Sequence, residues 1–89
     1  MLSKEDENKL VAIAKKYKLT RLYLFGSSTE SNREAHDIDL AVEGLDDSLF
    51  FKFYGELILN LSKPVDVIDL KRKSLFGDLI KAEGVLIYE

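Results

Sequence analysis

The residues of this chain that could do chemistry are carboxylates on predicted strands. Asp37 and Asp39 lie two positions apart in "HDIDLAV", so in a strand both project from one face, with Cα atoms roughly 7 Å apart. Asp66, in "PVDVIDL", joins them if its strand lies beside theirs, whereas Asp69 would face the opposite side. Carboxylates held together repel unless one is protonated or a cation lies between them. The pattern therefore favours Mg²⁺, which binds carboxylate and phosphate oxygens.

The second chemical feature is the turn Gly26-Ser27, which directly follows the predicted strand "RLYLF". Glycine lets a backbone approach a phosphate closely, and backbone N–H groups with the Ser27 hydroxyl can then hold the anion. Phosphate donors on one side and metal-binding carboxylates on the other are typical of phosphoryl or nucleotidyl transfer. Each feature alone is common by chance, and their combination in this order is more specific.

The hydrophobic pattern predicts three helices and four strands that would position these residues. Ser3 and Ser74 are predicted N-caps, and Gly44 and Gly84 end elements. The predicted elements are a helix over 3–17, strands over 21–25 and 37–43, a helix from 46–48 to 61, a strand over 65–70, a helix over 74–82 and a strand over 85–89. This order predicts one α/β (α+β) domain over 1–89, a small sheet with helices mainly on one face.

The second predicted helix carries an apolar stripe that we expect to be buried. Its members follow helical spacing: Phe50, Phe53, Tyr54, Leu57, Ile58 and Leu61. Phe51 cannot face the same core as its neighbour Phe50. The apolar residues around Phe50 and Phe51 are therefore candidates for a partner surface.

Composition excludes several classes of protein. The 89 residues include no cysteine and one histidine, which excludes a disulfide framework and a thiolate metal site. No apolar run is long enough to cross a bilayer. The N-terminal segment lacks the basic stretch followed by an apolar stretch that is typical of a secretory signal. A net charge of −3 does not favour binding to duplex nucleic acid. We therefore expect a soluble cytoplasmic protein.

Three segments together resemble the minimal nucleotidyltransferases of the polymerase-β-like superfamily. They are "LFGSS", "HDIDLAV" and "PVDVIDL", and the ending "LIKAEGVLIYE" is also similar. The resemblance implies a mixed sheet that binds ATP or another nucleoside triphosphate with Mg²⁺ on its open face. It also implies an antitoxin that transfers AMP to a tyrosine of a helical HEPN ribonuclease toxin.

The resemblance assigns roles to individual residues of this chain. Asp37 and Asp39 match the paired metal ligands. Asp66 matches the third carboxylate, a ligand or base for the attacking hydroxyl. The nucleotide-binding turn matches Gly26 and Ser27, to which we add Ser28 and Arg33 as candidate phosphate contacts.

The loop after Gly26 departs from the family pattern and leaves a second hypothesis open. The family commonly has arginines where this chain has Ser28 and Glu30, and a carboxylate near a triphosphate is electrostatically unfavourable. A degenerate domain that neutralises a toxin by binding alone is therefore the alternative. The sequence leaves open the nucleotide, the acceptor, and whether the chain forms homo- or hetero-oligomers.

Overall fold

A computed structural model describes residues 2–26 and 37–89. Within these ranges, none of the helices combines the length and apolar character that a bilayer crossing requires. The elements, in chain order, are α1 (Lys4–Lys16), β1 (Arg21–Phe25), β2 (Ile38–Glu43), α2 (Phe50–Asn60), β3 (Val65–Asp69), α3 (Leu75–Glu83) and β4 (Val85–Tyr88). A short 3-10 turn over Asp47–Leu49 leads into α2.

Serine caps start the first and last helices, as the sequence predicts. The Oγ of Ser3 accepts a hydrogen bond from the backbone N–H of Asp6 at 3.1 Å, and the Oγ of Ser74 accepts one from Gly77 at 2.9 Å. Each bond satisfies a donor that the first turn of a helix leaves without a backbone partner. The Asp6 carboxylate, although buried, accepts hydrogen bonds from the N–H and hydroxyl of Ser62.

The four strands form one mixed sheet in the order β3-β2-β1-β4. The central strand β1 is antiparallel to both β2 and β4, whereas β2 and β3 are parallel. Parallel neighbours need a crossover connection, and α2 provides it. The predicted class, a small mixed sheet with helices, is confirmed.

Most of the core lies on one face of the sheet, beneath α1 and α2. Ile38, Leu40 and Val42 of β2 all point into it, as the alternation in the sequence predicts. The other core members include Leu10, Ile13, Ala14, Leu22, Leu24, Phe53 and Leu57. This face anchors the strands whose alternate residues form the other face.

A smaller cluster lies on the opposite face, under α3. Tyr23, Ala41, Leu70 and Ile80 are buried there. The cluster covers only part of this face. Ala41 belongs to the cluster, and Asp37 and Asp39 precede it at the alternate positions that share its face. Two helices therefore cover one face and one short helix partly covers the other.

The predicted stripe on α2 is wrong at one position. Phe53, Leu57 and Leu61 are buried, but Ile58 has 60% of its surface exposed. The helix turns Ile58 and Leu59 outward together with Phe51. The adjacent phenylalanines divide as expected, since Phe51 is exposed and Phe50 packs partly against the core.

Candidate active site

The parallel pairing of β2 and β3 brings two of the predicted aspartates side by side. Asp39 and Asp66 are Cα partners in the ladder, so their side chains leave the same face of the sheet. Asp69, three residues further along β3, is the partner of Val42, a residue of the main core face. The register therefore separates Asp66 from Asp69, as the odd spacing in the sequence predicts.

Asp37 lies directly before β2, at the same end of the sheet as Asp39 and Asp66. It is exposed, while Asp39 is half-buried and Asp66 is exposed. The Asp37 and Asp66 charges both act on Asp39. The structure thus brings together the three carboxylates that the sequence singles out.

Gly26 joins this group from the neighbouring strand β1. Phe25 is the Cα partner of Asp39, and Gly26 follows it with a φ of +70°. A Cβ at Gly26 would lie 2.5 Å from Oδ2 of Asp39, closer than van der Waals contact allows. The left-handed backbone therefore favours glycine at this position, and the present orientation of the Asp39 carboxylate leaves no room for a Cβ.

The electrostatics of the site favour a cation. Burial raises the pKa of the Asp39 carboxyl, and the negative charges of Asp66 and Asp37 raise this pKa further. The site therefore stabilises Asp39 in its charged form less well than water does. A cation held between the carboxylates would remove that penalty.

The carboxylates fit Mg²⁺ as partial ligands only. Carboxylate oxygens are the donors that Mg²⁺ prefers. However, no three His, Asp or Glu side chains within residues 2–26 and 37–89 form a metal-binding group. Mg²⁺ is commonly bound by one or two carboxylates together with substrate phosphates, and the pair Asp37 and Asp39 would suit that role, with Asp66 left for the acceptor hydroxyl.

The remaining predicted nucleotide contacts lie outside the described residues. These are Ser27, Ser28 and Arg33; Glu30, in the same loop, also lies outside the described residues. Their roles stay predictions.

A cavity beside Gly26 is the feature that reasoning from the sequence missed. It has a volume of about 360 Å³ and lies between the end of β1 and α3. Phe25 and Gly26 line it from β1, and Phe76, Leu79, Ile80 and Glu83 line it from α3. The sequence does carry one signal of an apolar site here. The predicted helix α3 has more large apolar residues, among them Phe76 and Leu79, than the single buried stripe of a short helix needs.

Comparison with known proteins gives a family and several solved structures. A comparison with curated protein sequences finds no match. The model of the family described as polymerase beta, nucleotidyltransferase, matches residues 8–89.

Several of the structural matches are chains from toxin–antitoxin complexes. One complex, described with AMP-PNP, has a chain 28% identical with a TM-score of 0.72, covering 91% of this chain and 71% of that one. A second, described as tri-AMPylated Shewanella oneidensis HEPN toxin with MNT antitoxin, gives 28% identity and a TM-score of 0.69, covering 92% and 68%. An MntA-HepT complex gives 26% identity and a TM-score of 0.70, covering 96% and 71%.

The family model covers nearly the whole chain, and the matching structures share its fold at low sequence identity. The resemblance to minimal nucleotidyltransferases is thus confirmed. The chain belongs to the polymerase beta nucleotidyltransferase family.

Proposed function

We propose that the chain is an antitoxin that transfers AMP from ATP to a tyrosine hydroxyl of a HEPN ribonuclease toxin. One observation carries the proposal: Asp39 is paired with Asp66 across β2 and β3, with Asp37 beside it and Gly26 against its carboxylate. Family membership supports the transferase activity. The similar complexes, one with AMP-PNP and one with a tri-AMPylated HEPN toxin, support the nucleotide and the partner.

Each residue of the site has a separate part in this proposal. Asp37 and Asp39 would hold Mg²⁺, and Gly26 would let the β1 turn approach the triphosphate. Mg²⁺, when bound, supplies positive charge that offsets the charge of the phosphates. Asp66 lies on the far side of Asp39 from Gly26, since β2 separates β3 from β1. We therefore assign the acceptor hydroxyl to the Asp66 side and the triphosphate to the Gly26 side.

The reaction exchanges one phosphorus–oxygen bond for another. The acceptor oxygen bonds to the α-phosphorus, and the bond from the α-phosphorus to the bridging oxygen breaks. Pyrophosphate leaves with that oxygen, and the hydroxyl proton passes to the Asp66 carboxylate. Positioning and charge stabilisation account for most of the catalysis in such transfers.

The test uses ATP labelled at the α-phosphate, Mg²⁺ and a HEPN toxin, with the protein from the neighbouring gene as a second acceptor. We expect label on the acceptor, and a loss on the order of 10²-fold or more in rate with Asp39→Asn or Asp66→Asn. Asp69→Asn is the matched control, because it makes the same change on β3 but on the opposite face. No label with either acceptor, or equal losses for Asp66→Asn and Asp69→Asn, would overturn the proposal.

The second candidate function is neutralisation by contact without catalysis. The outward-facing residues Phe51 and Leu59 on α2 favour it, since each has 86% of its surface exposed. Large apolar side chains exposed together mark interaction surfaces. Under this alternative, a variant with both Asp37→Asn and Asp39→Asn still protects cells from the toxin, whereas Phe51→Ser with Leu59→Ser does not. The opposite pattern supports catalysis.

A further inference from the structure

We infer that the cavity between β1 and α3 binds the nucleobase of the donor nucleotide. The inference rests on the proposed function for the phosphate position, and it adds the part of the site that recognises the base. At about 360 Å³, the cavity is within the range of small-ligand sites, which are mainly apolar and aromatic with few polar groups.

The position of the cavity favours the nucleotide over the acceptor. Gly26 lines the cavity and also lies against the Asp39 carboxylate. A nucleotide with its phosphates at Gly26 and Asp39 therefore has its base within reach of the cavity. Asp66, which we assign to the acceptor, lies on β3, and β2 separates it from β1.

The walls of the cavity suit a flat, uncharged ring. The rings of Phe25 and Phe76 form an edge-to-face pair, with centroids 5.8 Å apart. About half of the surface of Phe76 and of Leu79 is exposed, so these side chains offer apolar surface for contact. Nucleobases stack on aromatic side chains through their π-faces, whatever the base.

The charge of the cavity indicates that the base, and not the triphosphate, of the nucleotide enters it. Glu83 is the only charged residue among the described residues that line it. A carboxylate repels a triphosphate but not a neutral base, and it can accept a hydrogen bond from a base N–H. The phosphates therefore stay at the carboxylate site with their cation, and the base lies against α3.

The experiment compares two ligands that differ in whether they carry a base. Dissociation constants for ATP and for inorganic tripolyphosphate, each with Mg²⁺, are measured by calorimetry on the full chain and on Leu79→Trp. The larger ring would fill the cavity, so we expect about tenfold weaker ATP binding and less than a twofold change for tripolyphosphate. Leu59→Trp, the same change on α2, is the matched control and should leave both constants unaltered.

A fluorescence measurement covers the case in which Leu79→Trp does not fold. The chain contains no tryptophan, so Phe76→Trp gives a single reporter in the cavity and Phe51→Trp a control reporter on α2. ATP and adenosine should change the emission of the Phe76→Trp protein, while tripolyphosphate should not. Neither ATP nor adenosine should change the emission of the Phe51→Trp control.

The outcomes separate this inference from the proposed function. Equal weakening of both ligands by Leu79→Trp, or unaltered ATP binding, overturns the base site even if AMP transfer proceeds. Selective weakening of ATP without any AMP transfer supports the base site and overturns the proposed transfer. A chain that binds no nucleotide overturns both.

Discussion

Replacing Gly26 with alanine should damage the site more than it damages the fold. The substitution adds one methyl group at a φ of +70°, with its carbon 2.5 Å from Oδ2 of Asp39. Alanine in the left-handed region costs roughly 1–2 kcal/mol. The atom it meets is the end of a side chain, so Asp39 can rotate away. We therefore expect the free energy of unfolding to fall by about 1–2 kcal/mol, with the Asp39 carboxylate displaced.

Two other glycines provide matched controls for the same substitution. Gly44 has a φ of +87°, and a Cβ there would lie 2.8 Å from the backbone nitrogen of Thr20. Gly44→Ala should therefore destabilise at least as much as Gly26→Ala, because backbone cannot rotate away, but without a direct effect on the site. Gly55 lies inside α2 with nothing near the added carbon. Gly55→Ala should stabilise by about 0.5–1 kcal/mol.

The assay combines urea unfolding with binding of tripolyphosphate in the presence of Mg²⁺. Gly26→Ala should lose binding while most of the protein stays folded, whereas Gly44→Ala should bind normally despite an equal or greater loss of stability. Equal binding by the two variants would refute the assignment of Gly26 to the phosphate turn. A stabilised Gly26→Ala protein would refute the strain argument itself.

Two further predictions concern the supports of the fold. Ser74→Ala removes the bond from the Gly77 N–H and should lower the free energy of unfolding by about 1 kcal/mol, measured in urea; an unchanged midpoint would contradict the cap. For Glu56, the hydrogen bond from Lys16, at 2.8 Å, lowers the pKa of its carboxyl, and a bond from Tyr17 adds to this. A lowered folded-state pKa gives stability at neutral pH that is lost as the pH falls through that pKa. The native protein should therefore lose more stability than Glu56→Gln between about pH 5 and 3, and parallel pH profiles would contradict the linkage.

The carboxylates of the site could be predicted from the sequence because they depend on short spacings. Asp37 and Asp39 share a face through the two-residue period of a strand, and the odd interval separates Asp66 from Asp69. The pairing of Asp39 with Asp66 was only conditional, since strand order depends on packing between distant segments. Ile58 was misassigned because helical spacing gives the width of an apolar stripe but not how far the core extends beneath it.

The excess of apolar residues in α3 could be seen in the sequence, but the position of the cavity could not be predicted, for a related reason. It depends on where α3 crosses β1, and no spacing within "LFGDLIKAE" encodes that contact. Phe25 and Phe76 are 51 positions apart and meet only in the folded sheet. Individual chemical groups can be read from local patterns, whereas the space between elements requires the tertiary structure.

The parallel register of β2 and β3 has a consequence for how this site tolerates change in evolution. Asp39 and Asp66 belong to strands joined by the long crossover through α2, so insertions in the connecting loops at 44–49 or 61–64 need not alter the ladder. A slip of one residue in the ladder would turn Asp66 to the opposite face while every aspartate stayed in the sequence. Relatives with altered loop lengths can therefore keep the site. A chain that retains all three aspartates can nevertheless lose it through strand alignment alone.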